Sequence, residues 1–125
     1  MRRLMAIALP LLLATPAVAQ EQIGDDGTEV GSGMASYYGR ELAGNRTASG
    51  EAFDPDDFTA AHRSLAFGSK VRVTNLANGK SVIVRVNDRG PWGRGRVIDV
   101  SQAAAKEIGM HRSGTARVSM TLLDD

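Results

Sequence analysis

Three side chains sit in segments whose neighbours suit proton transfer. Asp88 lies in Asn87-Asp88-Arg89-Gly90-Pro91, Glu51 ends Thr47-Ala48-Ser49-Gly50-Glu51, and His62 ends Thr59-Ala60-Ala61-His62. Two carboxylates and an imidazole can divide acid and base work if the fold gathers them. Burial, or a second carboxylate nearby, would keep one carboxyl protonated near neutral pH. Arg89 would oppose that if its guanidinium pointed at Asp88. Asp99, in Val97-Ile98-Asp99-Val100-Ser101, is a secondary acidic candidate. Tyr38 and Trp92 offer flat faces to a ligand, and Trp92, beside a turn, is the better placed for a groove. Each residue also has a plainer role. Asn-Asp-Arg-Gly-Pro is turn-forming, Glu51 alone would be a solvated charge, and His62 could make a structural hydrogen bond.

Other chemistries lack their residues. The two histidines, His62 and His111, come without a His-Glu-x-x-His segment or any cysteine, so no metal is expected. Gly90 to Gly95 contains a proline, a tryptophan and an arginine, which is not a phosphate loop. The serines lie in turns without a nucleophile elbow. The formal charge of the chain is +1, and removal of Arg2 and Arg3 with a leader would make it −1. That leaves no basic footprint for nucleic acid.

The elements that must position these residues are mostly strands. Val residues alternate through 70–76 and through 81–87, and Asn78-Gly79 between them predicts a tight hairpin turn. Further strands are expected at 35–38, 96–100 and 116–123. One helix is expected over 102–108, capped by Ser101 and ended by Gly109. Short strands, one helix and many glycines point to a small closed all-β barrel. Ahead of it, Met1-Arg2-Arg3, the apolar run Leu4–Ala14 and Ala17-Val18-Ala19 form the pattern of a secretory leader over 1–19. Residues 20–32, rich in glycine and acid, read as a flexible linker. The barrel is then expected over 33–123.

The motifs Ala35-Ser36-Tyr37-Tyr38-Gly39, Thr47-Ala48-Ser49-Gly50-Glu51, Thr59-Ala60-Ala61-His62, Val84-Arg85-Val86-Asn87-Asp88-Arg89-Gly90-Pro91 and Ile98-Asp99-Val100-Ser101 stand in order from Gly33 to about Thr121. Together they resemble the RlpA (rare lipoprotein A) family. The resemblance implies a six-stranded double-psi β-barrel, related to barwin and expansins. It also implies a lytic transglycosylase that cuts the β-1,4 bond between N-acetylmuramic acid and N-acetylglucosamine of peptide-free peptidoglycan, leaving 1,6-anhydro ends without a cofactor. Carried over by motif, the catalytic residues are Asp88, Glu51 and His62; Asp99, Tyr38, Trp92 and Arg89 are weaker candidates for substrate contact, not carried over by motif. The implied partner is the glycan strand; wall-synthesis or division proteins are open as further partners. Two features of the longer relatives are missing: the lipid-bearing cysteine and a C-terminal glycan-binding SPOR domain. The expected location is therefore periplasmic or secreted and soluble. Two readings of another class share the barrel: an expansin-like glycan-binding module, and a pseudo-enzyme that docks a partner.

The chemistry is self-consistent. An ordinary glycosidase pairs two carboxyl groups. A lytic transglycosylase needs fewer, because the muramic 6-hydroxyl attacks its own C1 and is held there by the substrate. An acid must still protonate the leaving oxygen, and a base must take the hydroxyl proton.

Overall fold

The computed structural model describes residues 27–124. The expected leader and residues 20–26 of the expected linker lie outside the described residues. Six strands are present: β1 (Gly27–Tyr37), β2 (Thr59–Ala61), β3 (Lys70–Asn75), β4 (Ser81–Asp88), β5 (Arg96–Val100) and β6 (Ala116–Leu123). They close into a barrel in the order β1-β5-β2-β4-β3-β6. Two pairings are parallel, β1 with β5 and β2 with β4, and the other four are antiparallel. This is the all-β double-psi barrel that the motifs imply.

Alternation explains the core. Val71 and Val73 of β3, Val82, Val84 and Val86 of β4, and Val118 and Met120 of β6 point inward with Ile98 and Val100 of β5. The helix α1 (Gln102–Glu107) adds Ala104 and Ala105 to that core, followed by Ile108 and Met110. Its cap is the expected one: Ser101 Oγ accepts from the Ala104 N–H at 3.3 Å. Its far end is held from the β3–β4 connection, where Asn75 and Asn78 both donate amide hydrogens to the Ile108 carbonyl, at 2.8 and 3.1 Å. That duty lengthens the hairpin. Its loop runs from Leu76 to Lys80, closed by Asn75 N–H on the Lys80 carbonyl, so Asn78-Gly79 is part of a longer turn rather than a two-residue one.

Two elements differ from the sequence reading. Residues 27–32, read as linker, are the first half of β1 and pair with β6 from Gly27↔Leu123 to Ser32↔Ser119. Their low apolar content misleads because this stretch is stabilised by backbone pairing and by close approach. A Cβ on Gly27 would lie 2.6 Å from the Leu122 carbonyl oxygen. The second difference is β2, three buried residues, Thr59-Ala60-Ala61, too short to show a period. It nonetheless lies between β4 and β5 at the centre of the sheet order.

The register of β2 on β4 carries a consequence for the site. Ala60 pairs with Val86 and Ala61 with Asp88, so Asn87 is an extra residue in β4. Such a bulge re-aims the side chains around it. Val86 and Asn87 are consequently both buried, and Asp88 follows at the strand's end.

Candidate active site

The segment after β1 folds over the end of β4. A one-turn 3-10 helix (Arg40–Leu42) leads into a small hairpin over residues 44–53. Gly44 and Phe53, Asn45 and Phe53, and Thr47 and Glu51 exchange backbone hydrogen bonds of 2.7–2.8 Å across it. Its tip, Thr47 to Gly50, turns through a positive φ of 95° at Gly50, which a side chain would resist. The tip docks onto β4: Ser49 N–H donates to the Asn87 carbonyl at 3.2 Å, and Ala48 N–H to Asp88 Oδ1 at 2.9 Å. Two motifs separated by a long stretch of sequence are thereby joined.

Asp88 is held from three directions. Oδ1 accepts from Ala48 N–H and from Arg89 N–H, at 2.9 and 2.8 Å. Oδ2 accepts from the Tyr38 hydroxyl at 2.8 Å. A carboxylate offers about four lone-pair sites, so one remains, on Oδ2. Asp88 lines a cleft of about 200 Å³ with Tyr38, Leu42, Asn45, Arg46, Thr47 and Phe53. Tyr38 is braced there by Phe53, edge to face, with ring centroids 5.2 Å apart. Burial, then the hydrogen bond to Asp88, pushes the Tyr38 phenol well above its ordinary value, so it remains a neutral donor across the accessible pH range.

Glu51 faces different partners. Its carboxylate takes both terminal nitrogens of Arg85, one at 3.2 Å, and the Asn87 amide at 3.2 Å. Arg85 in turn lies 3.5 Å from Asp57. The Arg85 hydrogen bonds, followed by that of Asn87, hold the Glu51 carboxyl below its ordinary range. Glu51 is thus an ionised group at neutral pH, beside the Asp88 cleft rather than among its lining residues.

His62 is next to Asp88 through the backbone, its N–H donating to the Asp88 carbonyl at 3.2 Å. Its ring is turned into the following loop. Nδ1 accepts from Ser64 and Leu65 N–H, both at 3.1 Å, which assigns the ring proton to Nε2. Burial, then the charges of Arg89 and Arg63, lower its basicity. The imidazole lines a second cleft of about 210 Å³ with Val30, Gly31, Arg63, Ser64, Val97 and Met120. Of the three residues expected at one groove, the structure gives the Asp88 cleft to Asp88 and sets Glu51 and His62 on either neighbouring surface with partners of their own.

The weaker candidates divide as well. Arg89 points away from the Asp88 carboxylate: its guanidinium donates to the His62 and Leu65 carbonyls, at 3.2 and 2.9 Å, and stacks 4.0 Å over the Phe67 ring. It braces the 62–67 loop. Asp99 is buried, with Oδ1 taken by the Ser36 hydroxyl and by Arg96 at 3.0 Å. That ties β1 to β5; Asp99 is not among the residues lining the Asp88 cleft, although its charge lies close enough to Tyr38 to help raise the phenol. Tyr38 is in the cleft, and Trp92 is 73% exposed on the turn beyond Asp88. Sequence reading missed Arg85 and Asn87 as the partners of Glu51, because the bulge at Asn87 breaks the alternation of β4. It also missed the cleft wall of Leu42, Asn45, Arg46 and Phe53, which has no motif signal. Among the described residues, no cluster of His, Asp and Glu could hold a metal ion.

The sequence model of the family described as lytic transglycolase matches residues 30–120, most of the chain. The chain belongs to this family. Its curated relatives include "Probable endolytic peptidoglycan transglycosylase RlpA" of Synechocystis sp., 47% identical over 117 residues, covering 94% of this chain and 36% of the relative. "Endolytic peptidoglycan transglycosylase RlpA" of Pseudomonas aeruginosa is 58% identical over 92 residues, 74% of this chain and 27% of that protein. The chain therefore spans about a third or less of the length of these relatives. Among solved structures, Streptomyces papain inhibitor matches with a TM-score of 0.61 and 22% identity, over 82% of this chain and 98% of that one. An expansin of Clavibacter michiganensis matches with a TM-score of 0.59 and 26% identity, over 75% and 50%. The family's barrel is thus shared by proteins as different as an inhibitor and an expansin, and the site must carry the functional argument.

Proposed function

We propose that this domain is an exported peptidoglycan lytic transglycosylase that cuts the β-1,4 bond between N-acetylmuramic acid and N-acetylglucosamine. The observation that carries the reading is the Asp88 carboxyl, fixed by Tyr38 and two backbone N–H groups with one Oδ2 lone pair unspent at the cleft. Family membership and the names of the RlpA relatives support the substrate class.

In the proposed reaction Asp88, protonated on Oδ2, gives its proton to the glycosidic O4 as the bond from C1 of the muramic residue breaks. The muramic 6-hydroxyl oxygen bonds to C1, and its proton passes to the same Oδ2. One bond breaks, one forms, no water is consumed, and Asp88 ends as it began. Positioning of the 6-hydroxyl by the ring itself replaces the second carboxylate of a hydrolase. Ionised Glu51, held by Arg85 and Asn87, keeps the hairpin tip on β4 and so keeps the Ala48 N–H on Asp88.

Digestion of purified sacculi, intact and amidase-treated, tests this by mass analysis of the products. Anhydro-muramic ends support it, and more of them after amidase treatment would assign peptide-free strands as the substrate. Reducing ends would make the protein a hydrolase. Retention on sacculi without products would make it a binding module. The export step is checked by the mature terminus, expected near Gln20 on material outside the cytoplasm.

A further inference from the structure

The Asp88 cleft is small for a polymer. Its volume of about 200 Å³ lies below the 300–1,000 Å³ common for small-ligand sites. A glycan strand threaded through it must meet further surface on the way out. None of the lining residues comes from the turn that follows Asp88, yet that turn carries the most exposed large apolar side chain among the described residues, Trp92.

Trp92 is exposed but placed. A Cβ built on Gly90 would lie 3.6 Å from Trp92 Nε1 and 3.7 Å from Cδ1, so the pyrrole edge of the indole is folded back over Gly90, two residues from Asp88. The loop that bears it is held by one side chain from another strand's end. Arg63 donates Nε–H to the Pro91 carbonyl at 2.6 Å, and its Nη2 to the carbonyls of Gly93 and Arg96, at 3.1 and 2.9 Å. Three carbonyls on both sides of Trp92 are thus fixed by one planar guanidinium. The exposed indole face costs solvation without contributing to the core, while its loop is clamped as a core element would be. That combination fits a prepared platform.

We propose that Trp92 is the stacking platform of a second sugar subsite beside Asp88, and that Arg63 is the residue that positions it. A pyranose has an apolar C–H face and a polar rim. Indole offers the matching flat apolar face with one N–H at its edge. Arg63 acts through the loop: with its carbonyls fixed, the platform is ordered before the strand arrives. This inference rests on the glycan reading of the site given above. Lysine at position 63 would not replace the fork, since a single ammonium cannot span three carbonyls in that geometry.

Trp92 is the one tryptophan of the chain, so its emission reports the subsite directly. The titration uses amidase-treated glycan strands and the Asp88→Asn protein, in which cleavage is expected to be slowed about 100-fold or more. A saturable change in emission is expected, and protein sedimenting with glycan while its emission stays constant would overturn the proposal. In the active protein, Trp92→Ala is expected to raise KM for solubilised strands roughly five- to tenfold, the scale of one aromatic stacking contact, with kcat within about twofold. Trp92→Phe should restore most of the loss. Arg63→Lys is expected to raise KM about three- to tenfold, the scale of leaving one or two groups to be ordered on binding, and to lower Trp92 emission anisotropy in the free protein. Unchanged KM in Trp92→Ala removes the platform, and unchanged KM and anisotropy in Arg63→Lys removes the clamp. Failure of the parent reading looks different: sacculi then yield no anhydro products from the unaltered protein, while the emission titration still decides whether the subsite exists.

Discussion

The Tyr38 hydroxyl donates to Asp88 Oδ2 at 2.8 Å, joining the end of β1 to the end of β4 across the barrel's candidate cleft. The phenol stays protonated because burial and Asp88 itself push its ionisation far up. It is therefore a neutral donor that can steady a charged Asp88 without giving up its own proton.

Tyr38→Phe keeps the edge-to-face contact with Phe53 and deletes this one bond. A hydrogen bond to a charged group is worth about 1.5–3 kcal/mol, so turnover is expected to fall roughly ten- to a hundredfold. KM and the melting temperature should stay close to those of the parent. Initial rates of anhydro-product release and a thermal melt check this; an unchanged rate would mean that the two N–H bonds on Oδ1 are enough to orient Asp88.

Glu51 gives a pH-dependent expectation. Its folded carboxyl is held below the ordinary value near 4.5 by Arg85 and Asn87. The stability that this contributes is present above about pH 4.5 and is lost as pH falls toward the folded value. Glu51→Gln should therefore flatten the stability curve in that acidic window, measured by denaturant unfolding at stepped pH. Its effect at pH 7 should be small, because the pair is partly exposed and screened. Turnover should fall, but less than in a variant that loses the Asp88 proton. A parallel acid limb in parent and variant would show that the Arg85 pair is energetically silent.

How far the site was legible differs residue by residue. The barrel strands with Val71, Val73, Val82, Val84 and Val86 announce themselves by period two, and Ser101 announces its helix. Asp88 and Glu51 are marked by their motifs. What those motifs cannot express is direction. The bulge at Asn87 in β4 exists only in the register against Ala60 and Ala61, and it decides that Asn87 turns to Glu51 while Asp88 meets Tyr38. Arg89 stands beside Asp88 in the chain, yet spends its charge on the His62 and Leu65 carbonyls. Asp99 looks like a second acid in the sequence, yet its Oδ1 is spent on Ser36 and Arg96. Residues 27–32 read as linker because backbone pairing to β6 leaves no hydrophobic trace.

His62 separates structure from chemistry. Nδ1 accepts two backbone N–H groups, and His62→Ala leaves both without that partner. About 1 kcal/mol is at stake for partly exposed groups, equivalent to a fall of roughly 4–8 °C in Tm for a domain of this size. Burial and the two neighbouring arginines lower the imidazole's folded pKa below about 6.5. Its contribution is thus full above that pH and is lost as pH falls through the folded value. The Tm gap between parent and variant should accordingly narrow below about pH 6.5. A gap that is absent at pH 8, with turnover abolished, would instead make His62 a participant in the reaction.

Asp88→Asn is the sharpest case, because the substitution can keep every bond while removing the acid. The amide oxygen can accept from Ala48 and Arg89 as Oδ1 does, and the amide nitrogen can donate to the Tyr38 oxygen. The hairpin tip should then remain on β4, Tm should stay within a few degrees, and glycan retention should persist. Release of anhydro products should fall by about 100-fold or more, since a positioned general acid contributes about 10²–10⁴. Both quantities are measured on one preparation, with product mass as the rate readout. Full activity would exclude Asp88 as the proton carrier. Activity lost only in step with Tm would assign Asp88 the job of holding the Thr47–Gly50 tip in place, and the proton would then have to travel through another group of the cleft.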